Sequence, residues 1–184
     1  MTKGAAENRH RPGIDPLFRS AAVAHGARVI GVVRKSEPYE GHANSPVEVI
    51  DASATDVASR VRELTDGKGA DIVFNTVGDP YFEAAHKSLA LRGRQILIAA
   101  VDRIVQFNIL EFYRGQHTYV GIDTLGLSSV ATGAVLRELG PGFASGHLKP
   151  FPIKPGAIYP LEQAKAAFVA VAGSSRDRVI LRPA

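Results

Sequence analysis

An α/β fold built on a mostly parallel, doubly wound sheet is what this chain of 184 residues predicts. Two observations carry that expectation. Apolar runs rich in β-branched residues at 29–33, 71–77 and 95–101 show little apolar–polar alternation, the mark of strands covered on both faces. Between them lie stretches with apolar residues at helical spacing, opened by capping residues and closed by glycine. Strands alternating with helices at this spacing form right-handed βαβ units.

Residues 1–13 are polar and without periodicity, and are expected to be a disordered or non-native segment. Asp15-Pro16 then opens a helix through Leu17, Phe18, Ala21 and Ala22, with Gly26 at its left-handed C-terminal position. Strand 29–33 follows, then a loop from Ser36 to Pro46 and a short strand at 47–50. Thr55 or Asp56 caps a helix whose apolar face is Val57, Val61 and Leu64, and Asp66-Gly67-Lys68-Gly69 stops it. After strand 71–77, Asp79-Pro80 repeats the cap-and-proline device and opens a helix to Leu91, closed by Gly93. Strand 95–101 comes next, then a loop and short helical piece over 102–116, and a strand at 117–122. A helix over 128–139 is expected to break at Gly140-Pro141-Gly142. An extended, proline-rich connection over 147–160 leads to a helix with Leu161, Ala164, Phe168 and Val171 on one face, and a last strand at 178–181.

The hydrophobic content of 45% suffices for a core, and the absence of cysteine excludes disulfides and thiolate metal sites. The net charge of +4 is spread along the chain, so a nucleic-acid partner is not expected. No apolar run is long enough for a bilayer span, so no membrane is expected, and the N-terminus lacks a signal-peptide core. A soluble, cytoplasmic protein is the expectation.

A doubly wound sheet binds its ligand where its strands end. Strand 29–33 ends in Arg34-Lys35. In dinucleotide folds a basic residue there accepts the 2′-phosphate of NADP, where an acidic one would hold the ribose of NAD. A solvated basic turn is the other reading. Strand 71–77 ends in Val77-Gly78, where glycine lets backbone approach a ligand, or simply makes an ordinary turn. Strand 95–101 ends in Ala100-Val101, with room for a flat ring or plain core packing. The six histidines show no metal-ligand spacing, and His86 reads as a surface hydrogen-bond partner of Glu83. No serine sits in a nucleophile elbow and no paired carboxylates end a strand, so no catalytic residue is assigned.

Taken in order, Gly26-Ala-Arg-Val-Ile-Gly-Val-Val-Arg34, Gly67-Lys-Gly-Ala-Asp-Ile-Val-Phe-Asn-Thr-Val-Gly78, Leu91-Arg-Gly-Arg-Gln-Ile96, Tyr159-Pro-Leu-Glu-Gln-Ala-Lys-Ala-Ala-Phe168 and Arg178-Val-Ile-Leu181 resemble the medium-chain dehydrogenase/reductase superfamily. The nearest match is its zinc-independent quinone oxidoreductase branch, over about residues 17–183. The resemblance implies a Rossmann-type domain and an NADPH-dependent hydride donor to quinones or activated alkenes, without zinc. It implies that Arg34 and Lys35 hold the 2′-phosphate, that Val77, Gly78, Ala100 and Val101 flank the nicotinamide ribose and ring, and that Arg178 is a weaker phosphate candidate. It also implies a homodimer through the edge strand near 117–122.

The chain departs from that pattern in two ways. The family's upstream catalytic domain has no counterpart, so residues 14–184 are expected to be a truncated dinucleotide-binding domain. The family's glycine-rich turn would fall near His10–Asp15, where only Gly13 remains and Asp15 places a negative charge at the helix start. The first central strand of the sheet therefore has no candidate, and NADPH binding is expected to be impaired. A non-catalytic remnant that acts by weak nucleotide binding or dimerisation is the alternative.

Overall fold

The computed structural model describes residues 22–23, 25–35, 47–123, 125–150, 153–173, 175 and 177–183. The N-terminal segment 1–13, most of the helix expected from Asp15 and the loop at 36–46 lie outside the described residues. The chain divides into two compact units, one of residues 30–37 and 48–138, the other of residues 1–29, 38–47 and 139–184.

The first unit is α/β with parallel strands throughout. Strand β1 (Ile30–Val33) pairs with β2 (Glu48–Asp51), Ile30 opposite Glu48 and Val33 opposite Asp51. Helix α1 (Val57–Leu64) follows, capped by Asp56, whose carboxylate accepts the Ser59 N–H at 2.8 Å. Those hydrogen bonds from Ser59 hold the Asp56 carboxyl below its ordinary value, against a smaller opposing effect of burial. Strand β3 (Ala70–Asn75), helix α2 (Phe82–Ser88), strand β4 (Leu89–Leu97), helix α3 (Ile109–Gly115) and strand β5 (Thr118–Gly121) complete a second sheet of order β3-β4-β5. Among the described residues no hydrogen-bonded strand joins β1-β2 to β3-β4-β5.

Helix α1 packs on α2, and α2 on β3 and β4. Val61, Phe82, Ala85 and Leu89 form much of the buried core. Phe82 and Phe107 stand edge-on to Tyr119, at ring separations of 5.3 and 5.6 Å. The apolar face expected on α1 is present, with Val61 buried and Val57 and Leu64 half-buried. Strand β3 differs from expectation, since Asp71 and Ile72 are exposed. An apolar run reports composition, while double burial requires an element over each face.

The helix opened near Asp79 ends at Ser88 and not at Leu91. The Lys87 and Leu89 carbonyls, which a continuing helix would bond to its next turn, accept instead from the Arg62 guanidinium at 3.1 and 3.3 Å. Gly93 consequently serves the strand: a Cβ there would lie 2.8 Å from the Ala90 carbonyl oxygen and 3.0 Å from that of Ala70.

The expected surface pair of His86 with Glu83 is also absent. Glu83 bonds Lys87 at 2.6 Å, while His86 is buried and shares a 2.7 Å hydrogen bond with Tyr119. Its Nε2 lies 3.4 Å from a Glu111 carboxylate oxygen. Burial, then the neighbouring His86, holds His117 below the ordinary imidazole value, and burial raises Tyr119. A histidine on the helix face toward a sheet meets that sheet's side chains before its own i−3 neighbour.

Helix α4 (Ser129–Ala144) begins in the first unit and ends in the second, running through Pro141 where a break was expected. The proline removes one N–H, but Gly140 before it has no Cβ to meet the ring, which spares the usual clash with the preceding residue. In the second unit, Gly26 takes the left-handed conformation expected of it, at φ +77. Strands β6 (Ile158–Pro160) and β7 (Ile180–Arg182) pair in parallel, and helix α5 (Ala164–Ala172) packs on both. The apolar face expected over 161–171 is exposed at Leu161, which precedes α5, and at Phe168 and Val171 within it, and Ala167 is buried instead. Strands of three residues cover only a small contact, which an alanine fills.

Candidate functional site

Strand β3 delivers the chain into a tight turn at Thr76-Val77-Gly78. Asn75, buried at the strand's end, shapes that turn with its own side chain. Its Oδ1 accepts the N–H groups of Val77 at 3.0 Å and Gly78 at 2.8 Å, and its Nδ2 donates to the Gly78 carbonyl at 2.8 Å. Both ends of the amide are used, so the turn is rigid from within.

Gly78 has φ +99, a conformation that disfavours any side chain. It is also pressed against the segment leaving β4. A Cβ at this position would lie 2.5 Å from the Ala99 carbonyl oxygen and 2.6 Å from Ala100 Cα. The ends of β3 and β4 therefore touch backbone to backbone. Val77, Gly78, Ala100 and Val101 are brought together, as the sequence spacing alone could not require.

Asp79 closes this edge. Its Oδ1 accepts the N–H of Val101 at 2.7 Å and of Asp102 at 2.8 Å. Sequence reasoning gave Asp79 to a helix N-cap; here it occupies the first residue of a short 3₁₀ turn over Asp79–Tyr81 that has no side-chain cap, and its carboxylate faces the other strand end. Burial works against the charged form, but the hydrogen bonds from Asp102 and Val101 outweigh it and leave the carboxyl below its ordinary value. The signal for Asn75 was local, since an Asx turn is readable from sequence. That for Asp79 was not, because its partners are 22 and 23 residues away.

Arg34 and Lys35 follow β1 directly and are both exposed. The Ala52 N–H bonds the Val33 carbonyl at 2.9 Å, extending the β1-β2 pairing to the point where the basic pair begins. Among the described residues neither basic side chain makes a hydrogen bond or ion pair, so both are available to an anion. Arg178 is exposed and lies in the second unit, just before β7. Among the described residues no group of three or more His, Asp or Glu side chains is placed to hold a metal ion.

Residues 17–138 match the zinc-binding dehydrogenase family. A quinone oxidoreductase-like protein 2 homolog of Nematostella vectensis is 34% identical over 73 residues, 40% of this chain and 20% of that protein. Among solved structures, the quinone oxidoreductase of Pseudomonas syringae pv. Tomato DC3000 is 30% identical, with a TM-score of 0.72 over 94% of this chain and 54% of its own. The Escherichia coli quinone oxidoreductase complexed with NADPH shares the fold, at 21% identity and a TM-score of 0.76 over 93% of this chain and 54% of its own. The chain thus spans a fifth of that curated relative and about half of each solved chain. The match over residues 17–138 places the chain in the zinc-binding dehydrogenase family, and it is a quinone oxidoreductase-like member of the medium-chain dehydrogenase/reductase superfamily with a Rossmann-type α/β fold.

Proposed function

We propose that this chain is the nucleotide-binding half of an NADPH-dependent oxidoreductase acting on a quinone or an activated alkene. The carrying observation is the rigid edge at the ends of β3 and β4, where Gly78 lies against Ala99 and Ala100 with no side chain between. NADPH, when bound, supplies the hydride. The protein's part is to hold it. Arg34 takes the 2′-phosphate in a bidentate fork and Lys35 adds a point charge. Val77, Gly78, Ala100 and Val101 present backbone and small apolar groups to the nicotinamide ribose and ring. Arg178 is a weaker phosphate ligand. No step in this reading uses zinc.

Binding is weakened, on this reading, because the sequence near His10–Asp15 lacks the glycine amides that normally take the pyrophosphate. The same reading makes the protein cytoplasmic and a homodimer through β5, which pairs with β4 on one side only among the described residues. A second reading, a non-catalytic remnant, is favoured by the lack, among the described residues, of a strand hydrogen-bonded between β1 and β3. On that reading the chain acts by weak nucleotide binding or dimerisation, and NADPH bound to it reduces no quinone even when a catalytic domain is supplied.

Fluorescence titration of the chain with NADPH tests the proposal. Saturable binding is expected with a Kd above roughly 10 µM, and NADH binds more weakly still. Arg34→Ala reduces the preference for NADPH over NADH by about tenfold, the size of one lost charge-assisted phosphate contact. A preference unchanged by that substitution would show that the basic pair does not read the 2′-phosphate.

A further inference from the structure

We propose that Asp79 is a positioning residue for the nucleotide-binding edge: its carboxylate latches the segment leaving β4 against the turn leaving β3, and so sets the surface on which the uncharged end of the cofactor rests. The inference builds on the NADPH reading given above.

Residues 98–107 carry no helix or strand. Ala99, Ala100 and Val101 are exposed, so packing alone does little to fix them. Among the described residues, the hydrogen bonds that this segment makes are those from Val101 and Asp102 to Asp79 Oδ1. Two adjacent N–H groups converging on one oxygen fix both the position and the orientation of the peptide between them. Asp79 is next in sequence to Gly78, whose missing Cβ is what lets the segment come so close. The latch and the contact it holds are therefore neighbours. Asn75 stiffens the β3 side of the same contact. Each turn is thus set by one polar side chain, Asn75 for its own turn and Asp79 for the opposite one.

The charge also selects which part of a dinucleotide can lie here. A carboxylate at this edge repels phosphate, and its hydrogen bonds to two N–H groups keep it ionised. An uncharged ring beside the half-exposed Val101 side chain meets no such repulsion. The basic Arg34-Lys35 pair sits at the end of a different strand, so the two charged features serve opposite ends of the ligand.

The test uses Asp79→Ala and Asp79→Asn in the full chain, with thermal melting as a folding control. The asparagine carboxamide oxygen still accepts both N–H groups. Asp79→Ala is expected to weaken NADPH binding by about tenfold, the order of a lost hydrogen-bonded charge, while Asp79→Asn stays within about threefold of the parent. Amide hydrogen exchange of Val101 and Asp102 without NADPH is expected to rise by a similar factor in the alanine variant and to return in the asparagine variant. If the parent chain binds no NADPH, the cofactor reading fails by itself, and the exchange rates still decide the latch. Unchanged exchange at Val101 and Asp102 in Asp79→Ala overturns the latch, and faster exchange with unchanged NADPH affinity overturns the positioning role.

Discussion

A single absent Cβ separates the turns at the ends of β3 and β4. Gly78→Ala would place a methyl group 2.5 Å from the Ala99 carbonyl oxygen at a φ of +99, so backbone must move on both sides. We expect it to cost on the order of 2–3 kcal/mol in stability, measured by urea denaturation, and to abolish NADPH binding. The glycine and its strand-end position were legible in the sequence; that it faces Ala99 and Ala100 was not. His86 teaches the same lesson. Its i−3 spacing from Glu83 is a real helical relation, yet its buried bond is to Tyr119 on β5, which no local pattern announces.

Helix boundaries follow whatever receives their terminal carbonyls and amides. A cap at Thr55 or Asp56 was legible because an N-cap acts within three residues, and the structure gives it to Asp56. Its carboxyl is lowered from the ordinary 3.8 in the folded chain, so its contribution is complete above that value and lost as pH falls through the lower folded one. Asp56→Ala should therefore lower the melting temperature by a few degrees at pH 7, with the difference from the parent shrinking as the pH drops below about 3.8, as calorimetry at several pH values would show. A constant difference down to pH 2 would contradict the cap. The end of α2 at Ser88 was not legible, because Arg62 supplies it from another helix. Pro141 within α4 shows the converse, a strong local breaker that the helix runs through, with Gly140 offering no Cβ to meet its ring.

Across the whole molecule, large apolar side chains remain exposed from Ile104 through Ile109, Leu125 and Val130 to Leu136. These residues flank β5 in sequence, and the outer edge of that strand has no partner strand among the described residues. Surfaces of this kind mark sites of association. On the dimer reading, sedimentation equilibrium should give twice the chain mass at micromolar concentration, and Val130→Lys should shift the population toward monomer. A monomer at every concentration would remove that reading and leave the nucleotide site untouched.

The sequence by itself determined the alternation of strands and helices, the caps that act within a few residues, and the ordered motifs of the superfamily. These are local because helix capping, turn chemistry and hydrophobic periodicity act over one or two turns of chain. Only the tertiary structure decided which strand ends meet, that Asp79 serves the opposite turn, where α2 stops, and what Ala167 rather than Phe168 buries. Those outcomes depend on hydrogen bonds and steric contacts between separate elements, whose partners no spacing rule can name.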